Sequence, residues 1–244
     1  MNLVEYRRAQ DTITRQVVAA VVATLRALAG RPLTPAQWQY VLDALFPTVV
    51  QGRRASVDLA LSFYRDHRAD HTDTAPSDTG PSGVEPPDYD RAALDQLLTR
   101  TARPRLGDPD TARAGITTTA AAVMRHVEQA GRDTIITASD RDPLTVRWAR
   151  VPTGRETCAF CWMLASRGPV YRIPAAPSDM RDMRAWHDGC DCLAVPVFDP
   201  NDWPGRDTHH TARDLWRTST AGYSGRDALN AFRRALYTNP PQTT

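Results

Sequence analysis

The chain of 244 residues contains no lysine; its basic side chains, histidines aside, are all arginine. Lys plus Arg number 30 against 28 for Asp plus Glu, a net charge of +2. Charge so evenly interspersed makes no general case for a nucleic-acid-binding surface. Aromatic residues are thin at 7%, and no stretch approaches the roughly 18 apolar residues of a membrane span. The opening "MNLVEYRRAQ" lacks the apolar centre of a secretion signal, so synthesis and residence in a reducing cytoplasm are expected. Cysteine is scarce: four residues, all between positions 158 and 192. In a reducing compartment such a cluster reads as metal ligands and not as a disulfide framework. What remains is ordinary for a globular protein, with 41% hydrophobic and 24% charged residues.

The pattern along the chain predicts an α+β fold that is mostly α. Residues 1–68 form an N-terminal helical arm, in which Ile13, Val17, Val21, Leu25 and Leu28 step by three and four. Thr34-Pro35-Ala36-Gln37 reads as a capping box with proline at the first helical position, followed by the apolar face of Trp38, Val41, Leu42 and Leu45. Pro47 is expected to kink or break that helix. Residues 69–88 are rich in Pro, Gly, Ser, Thr and Asp and read as a flexible linker, too poor in apolar groups to offset chain entropy. Helical signals return over 89–142, with Asp108 as N-cap and Pro109 behind it. After Pro143 the period changes to two. "LTVRWARV" (144–151), "PVYR" and "CLAVPVF" read as short antiparallel strands of a small module over 143–200. A helical tail over 201–244 ends in a loose "TNPPQTT".

The chemistry sits in that module. Cys158-x-x-Cys161 can converge on one ion from a tight turn when the second cysteine opens a helix, here "CWMLASRG". His187-x-x-Cys190-x-Cys192 supplies three more donors, and residues 190 and 192 of a strand point to one side. Thiolates with imidazole select Zn²⁺, and a full Cys/His shell makes the ion structural and not catalytic. Five donors compete for four places. One shell is Cys158, Cys161, His187 and one of Cys190 or Cys192; the other is all four cysteines, with His187 outside. The first is favoured by the three-residue spacing of His187 and Cys190. Asp188 and Asp191 are candidate hydrogen-bond partners for the ligands, and Trp162 and Trp186 are expected to cover the ion. The zinc is expected to replace the hydrophobic core that so small a module lacks.

No catalytic set is visible. H-E-x-x-H and G-x-S-x-G are absent, and the deaminase order of H-x-E before P-C-x-x-C is reversed. The His209-His210 pair reads as solvated, and Asp179, Arg181, Asp182 and Arg184 as a solvated loop. The enzymatic alternative is a zinc-containing nuclease-like effector of the HNH type, with His187 or His209 as general base.

"CAFCWMLASRGPVY", a variable loop, then "WHDGCDCLAVPVF" resembles the C-terminal motif of the MuF-like minor head proteins of tailed bacteriophages, in its actinobacteriophage branch. The resemblance covers about residues 144–198. Where many relatives carry Arg between the last two cysteines, this chain has Asp191. The resemblance implies a non-enzymatic virion component, made in the bacterial cytoplasm and placed inside the head at the portal vertex. It implies a few copies in a larger assembly, in contact with the portal protein, the major capsid protein or both, and with packaged DNA. The role implied is head assembly, DNA packaging or DNA delivery, without membrane contact; the enzymatic alternative within this phage group is a capsid-maturation enzyme.

Overall fold

The computed structural model describes residues 1–73, 88–154, 157–171 and 186–238. Helix starts follow from local capping. Asn2 opens α1 (Leu3–Arg26): its side chain accepts the Glu5 N–H at 2.9 Å, and the Glu5 carboxylate takes the Asn2 N–H at the same distance. Thr34 and Gln37 build the expected box at the start of α2 (Pro35–His71). Asp90 caps α3 (Arg91–Thr101), the short α4 (Arg103–Leu106) follows, and Asp108 caps α5 (Pro109–Arg141).

α2 runs unbroken through Pro47, against the expected break. Proline there removes the donor for the Asp43 carbonyl, on a residue whose side chain is 69% exposed. Water can take that carbonyl, while Leu45 and Val49 on either side are buried against the other helices. α2 also absorbs residues 69–71 of the expected linker; most of that linker, 74–87, lies outside the described residues, as do the C-terminal "NPPQTT" and the 179–184 loop.

The three long helices share two cores. In one, Val17, Val21 and Leu25 of α1 meet Leu42, Leu45 and Val49 of α2, Leu94 and Leu98 of α3, and Val123 and Val127 of α5. In the other, Tyr6 of α1, Phe63 and Tyr64 of α2, and Ile135 and Ile136 of α5 pack on the sheet and on Cys161, Cys190 and Cys192. Between the cores the helices cross where side chains are missing. A Cβ on Gly131 would stand 2.9 Å from the Ser56 carbonyl oxygen, and one on Gly52 would stand 2.6 Å from a Val17 methyl. Polar groups bridge the same crossing. Gln10 donates to Ser56 at 2.8 Å, Thr14 to Glu128 at 3.2 Å, and Arg132 pairs with Glu128 at 2.6 Å.

At the end of α5 the Asp142 carboxylate gathers Arg68 at 2.7 Å, the Tyr64 hydroxyl at 3.2 Å and the Leu144 N–H at 3.0 Å, which turns the chain into the sheet. β1 (Arg147–Pro152) runs antiparallel to β2 (Cys192–Val197), with Arg147 opposite Val197 and Pro152 opposite Cys192. Of the third expected strand, only Tyr171 is described as paired, in a single bridge to Trp148; Arg172 lies outside the described residues. The alternation in 144–151 implies one wet face, yet both faces are covered and Arg150 is 2% exposed. α6 (Ala159–Ala165) then packs with α7 (Arg206–Ser219) and α8 (Gly225–Thr238) through Trp162, Ala212, Phe232 and Leu236. The expectation of a coreless module stapled only by metal is thereby corrected: the sheet shares the core of the long helices.

Two outcomes follow from this packing. Gly131→Ala forces α5 away from α2, and we expect a loss of about 1–3 kcal/mol in chemical denaturation. His67, 3% exposed, donates from Nε2 to the Pro196 carbonyl at 3.0 Å. Burial, helped by His71, pushes its pKa down to about 4. Burial, helped by Arg125 and Arg53, does the same to His126. An unfolded histidine titrates near 6.5, so between about pH 6.5 and 4 only the unfolded state takes the proton, and stability falls as pH drops through that window. The unfolding free energy from urea denaturation should therefore fall less between pH 7 and pH 4 in His67→Gln, by on the order of 3 kcal/mol at pH 4; equal slopes in both proteins would refute this.

Candidate metal centre

Cys158 is the N-cap of α6, and its Sγ accepts the Cys161 N–H at 3.4 Å. The first cysteine, not the second, thus opens the helix, and Cys161 follows one turn in. The facing segment closes through Cys190 N–H donating to the His187 carbonyl at 3.1 Å, with Gly189 at φ +75°. A residue with a Cβ rarely adopts that backbone, so the turn depends on glycine. Cys192 then begins β2.

All five expected donors converge. His187 Nδ1–H donates to the Asp188 carbonyl at 3.0 Å, a bond that leaves the Nε2 lone pair free. Nε2 lies 3.1 Å from Cys158 Sγ and 3.0 Å from Cys161 Sγ, and Cys161 Sγ lies 3.5 Å from Cys190 Sγ. The donors form two triads that share Cys161: Cys158, Cys161 and His187; and Cys161, Cys190 and Cys192, each with its ligand atoms within 4.8 Å of one another. Cys161, Cys190 and Cys192 are buried, while Cys158 is at the surface.

Sulfurs this close compete for negative charge. Hydrogen bonding from Cys161, with help from His187, holds Cys158 down to about 4. Hydrogen bonds from Cys161 and Cys192 hold Cys190 down to about 2. Cys161 itself is driven up by its bonds to Cys158, Cys190 and Cys192, and by burial. The Cys158 sulfur lifts His187 to about 9. Crowded thiolates with an imidazole nitrogen beside them are the donor chemistry of a soft divalent cation, which would let every sulfur ionise at once.

The protein around the donors is polar where it touches backbone. Arg132 of α5 donates through Nε to the Cys192 carbonyl at 3.0 Å and through Nη2 to the Cys190 carbonyl at 2.8 Å. Arg7 of α1 and the Thr153 hydroxyl reach the carbonyl between them, on Asp191, at 3.1 and 2.7 Å. Both Arg132 and Arg150 lie over the Trp186 ring, with guanidinium carbons 4.3 and 3.8 Å from its centre. The Asp191 carboxylate accepts from the Gly154 N–H and the Thr157 hydroxyl at 3.1 and 2.5 Å. Its Oδ1 is 3.9 Å from Cys192 Sγ. Asp188 turns its carbonyl to His187 and its carboxylate to Arg125, at 2.5 Å.

Sequence reasoning named the five side chains that the structure groups around Cys161, but of its two aspartates only Asp191 turns its carboxylate toward a cysteine sulfur, while that of Asp188 goes to Arg125. It missed Arg7, Arg132 and Arg150, because an arginine that buries its head against a distant carbonyl looks like any other arginine on a helix or strand. It also placed Trp162 over the ion; Trp162 packs instead on α7 and α8, and Trp186 alone of the pair joins the cysteine core. His209 donates from Nδ1 to the Ala165 carbonyl at 3.1 Å and packs against Gly168, where a Cβ would stand 2.7 Å from the ring.

The VG15 protein family matches residues 1–219. The chain belongs to the VG15 family. The "Gene 15 protein" of Mycobacterium phage D29 is 34% identical over 90% of this chain and 94% of its own length. The "Gene 15 protein" of Mycobacterium phage L5 is 31% identical over 97% of this chain and 95% of its own. This VG15 member is therefore a bacteriophage-type protein, matched over nearly the whole of its relatives. No solved structure matches it. Among the described residues no helix is long and apolar enough to cross a membrane.

Because Cys161 is common to both triads, its loss should be the most damaging. Titration with Co²⁺ should produce sulfur-to-cobalt charge-transfer absorption in the native chain and none in Cys161→Ser. Absorption unchanged in that variant would show that the ion binds elsewhere.

Proposed function

We propose that this VG15 protein is a structural minor head protein of a tailed phage or prophage. It stands inside the virion at the portal vertex and acts in head assembly, DNA packaging or DNA delivery. A structural Zn²⁺, held by Cys158, Cys161, His187 and one of Cys190 or Cys192, fixes its C-terminal region. The observation that carries this reading is the meeting of Cys158-x-x-Cys161 and His187-x-x-Cys190-x-Cys192 in two triads that share Cys161, at the start of the buried strand that holds Val195-Pro196-Val197. That is the arrangement the resemblance to MuF-like minor head proteins implies, and the family and both relatives are of phage origin. The partners proposed are the portal protein or major capsid protein and packaged DNA, met by a few copies of this chain.

The reading is structural and not enzymatic. A nuclease would need His187 or His209 as base: His187 turns Nε2 to the Cys158 and Cys161 sulfurs and Nδ1 to the Asp188 carbonyl, and for His209, bonded through Nδ1 to the Ala165 carbonyl, the discriminating variant is His209→Ala.

The test is made on particles of the phage or prophage that encodes the chain. Mass spectrometry of purified heads should find the protein in a few copies, and elemental analysis of the purified chain should give one zinc. Cys161→Ser should remove the protein from heads and lower the yield of filled particles at least tenfold. Its absence from native heads would overturn the proposal. So would nicking of plasmid DNA by the purified chain that is lost in His187→Ala while the fold is kept.

A further inference from the structure

We propose that Arg132 is a positioning residue for the metal centre, through which metal binding and the packing of α5 become one cooperative event. This rests on the reading of the Cys/His cluster as a metal site.

Arg132 lies 60 residues before Cys192 and is 1% exposed. An arginine head is rarely buried so deeply without partners that use it. Its Nε and Nη2 take the carbonyls of Cys192 and Cys190, the two residues whose side chains are candidate ligands. Its charge is met by Glu128 one turn earlier at 2.6 Å, and its plane lies on Trp186, the residue just before His187. Nη1 has no hydrogen-bond partner among the described residues. One planar group thus touches the backbone on both sides of Asp191 and the ring that precedes the histidine.

The physical consequence is a constraint on direction. Cys190 and Asp191 lie just ahead of β2, where no ladder holds their carbonyls, so pinning the carbonyls of residues 190 and 192 fixes how the chain enters the strand and with it the directions of both sulfurs. The fork of a guanidinium can span two carbonyls in a rigid geometry; an ammonium cannot. Outer contacts of this kind commonly tune metal affinity about 10–100-fold. In the other direction, an ion that orders residues 187–192 orders the acceptors of Arg132. It thereby relieves the cost of a buried cation on α5.

The experiment uses the full chain with Co²⁺ as probe, in competition with a chromophoric chelator, for the native protein, Arg132→Gln and Arg132→Lys. Hydrogen exchange of the native protein is followed with and without chelator. Arg132→Gln is expected to keep its helical circular dichroism and to bind Co²⁺ about 10–100-fold more weakly, with altered charge-transfer bands. Arg132→Lys should fall closer to Gln than to the native chain. Chelation should lower amide protection in α5 around residues 128–138 together with 187–192. Native affinity in both variants, or α5 protection untouched by chelation, would overturn the proposal and leave the metal site standing. If Arg132→Gln does not fold, the exchange experiment on the native chain decides. A native chain that takes up no Co²⁺ defeats the metal reading and this proposal together.

Discussion

A turn that gathers sulfurs around one point bends its backbone out of any regular ladder, and its carbonyls must find donors elsewhere. Here the carbonyls of Cys190, Asp191 and Cys192 are all taken by side chains, from Arg132, from Arg7 and Thr153 together, and from Arg132 again. Two of those donors stand on the long helices α1 and α5. The cysteine turn is therefore not an appendage on the bundle. It is joined to the bundle through the groups that would otherwise be left buried and unsatisfied, at about 1–3 kcal/mol each.

That junction explains why the long helices have two cores. Toward the N-terminal ends of α2 and α5 they pack against α1 and the short helices α3 and α4 through aliphatic side chains and Trp38. Toward its C-terminal end α2 turns aromatic, with Phe63 stacked on Tyr6 of α1 at 4.5 Å, and α5 brings Ile135 and Ile136; together they receive the sheet, where Trp148 stacks on Tyr171 at 4.7 Å. Gln10, Thr14, Ser56, Glu128 and Arg132 bridge the space between as a polar thread. Buried polar chains of this sort favour one helix register over its neighbours, because a slip by one turn would leave several groups unpaired. For a protein proposed to act inside a larger assembly, the result is a rigid connection between a long helical body and a cysteine centre at its end.

Much of this was legible in the residues alone. Thr34 with Gln37, and Asp108 with Pro109, announce helix starts, since a cap depends only on neighbours three or four positions away. The strand around Trp148 shows in its period of two, and that around Val195 in its unbroken apolar run. The four cysteines stand out because the chain has no other, and His187 because it lies three residues before Cys190. The errors share one cause, which is reasoning from local preference where distant packing prevails. Pro47 is a helix breaker in isolation, yet it sits in a helix held along its length by two others. Trp162 is next to a ligand in sequence, but the helical turn points it toward Phe232. Arg150 occupies a polar place in an alternating strand, and it is buried over Trp186.

The sequence by itself determined where helices and strands begin and which side chains offer themselves to a metal, because those are questions of spacing over a few residues. Only the tertiary structure decided that the centre lies in the core of the long helices and that Arg7 and Arg132 hold it there. Those contacts join residues 184 and about 60 positions apart. No local period encodes them: a buried guanidinium is chosen by the carbonyls that the folded chain brings to it.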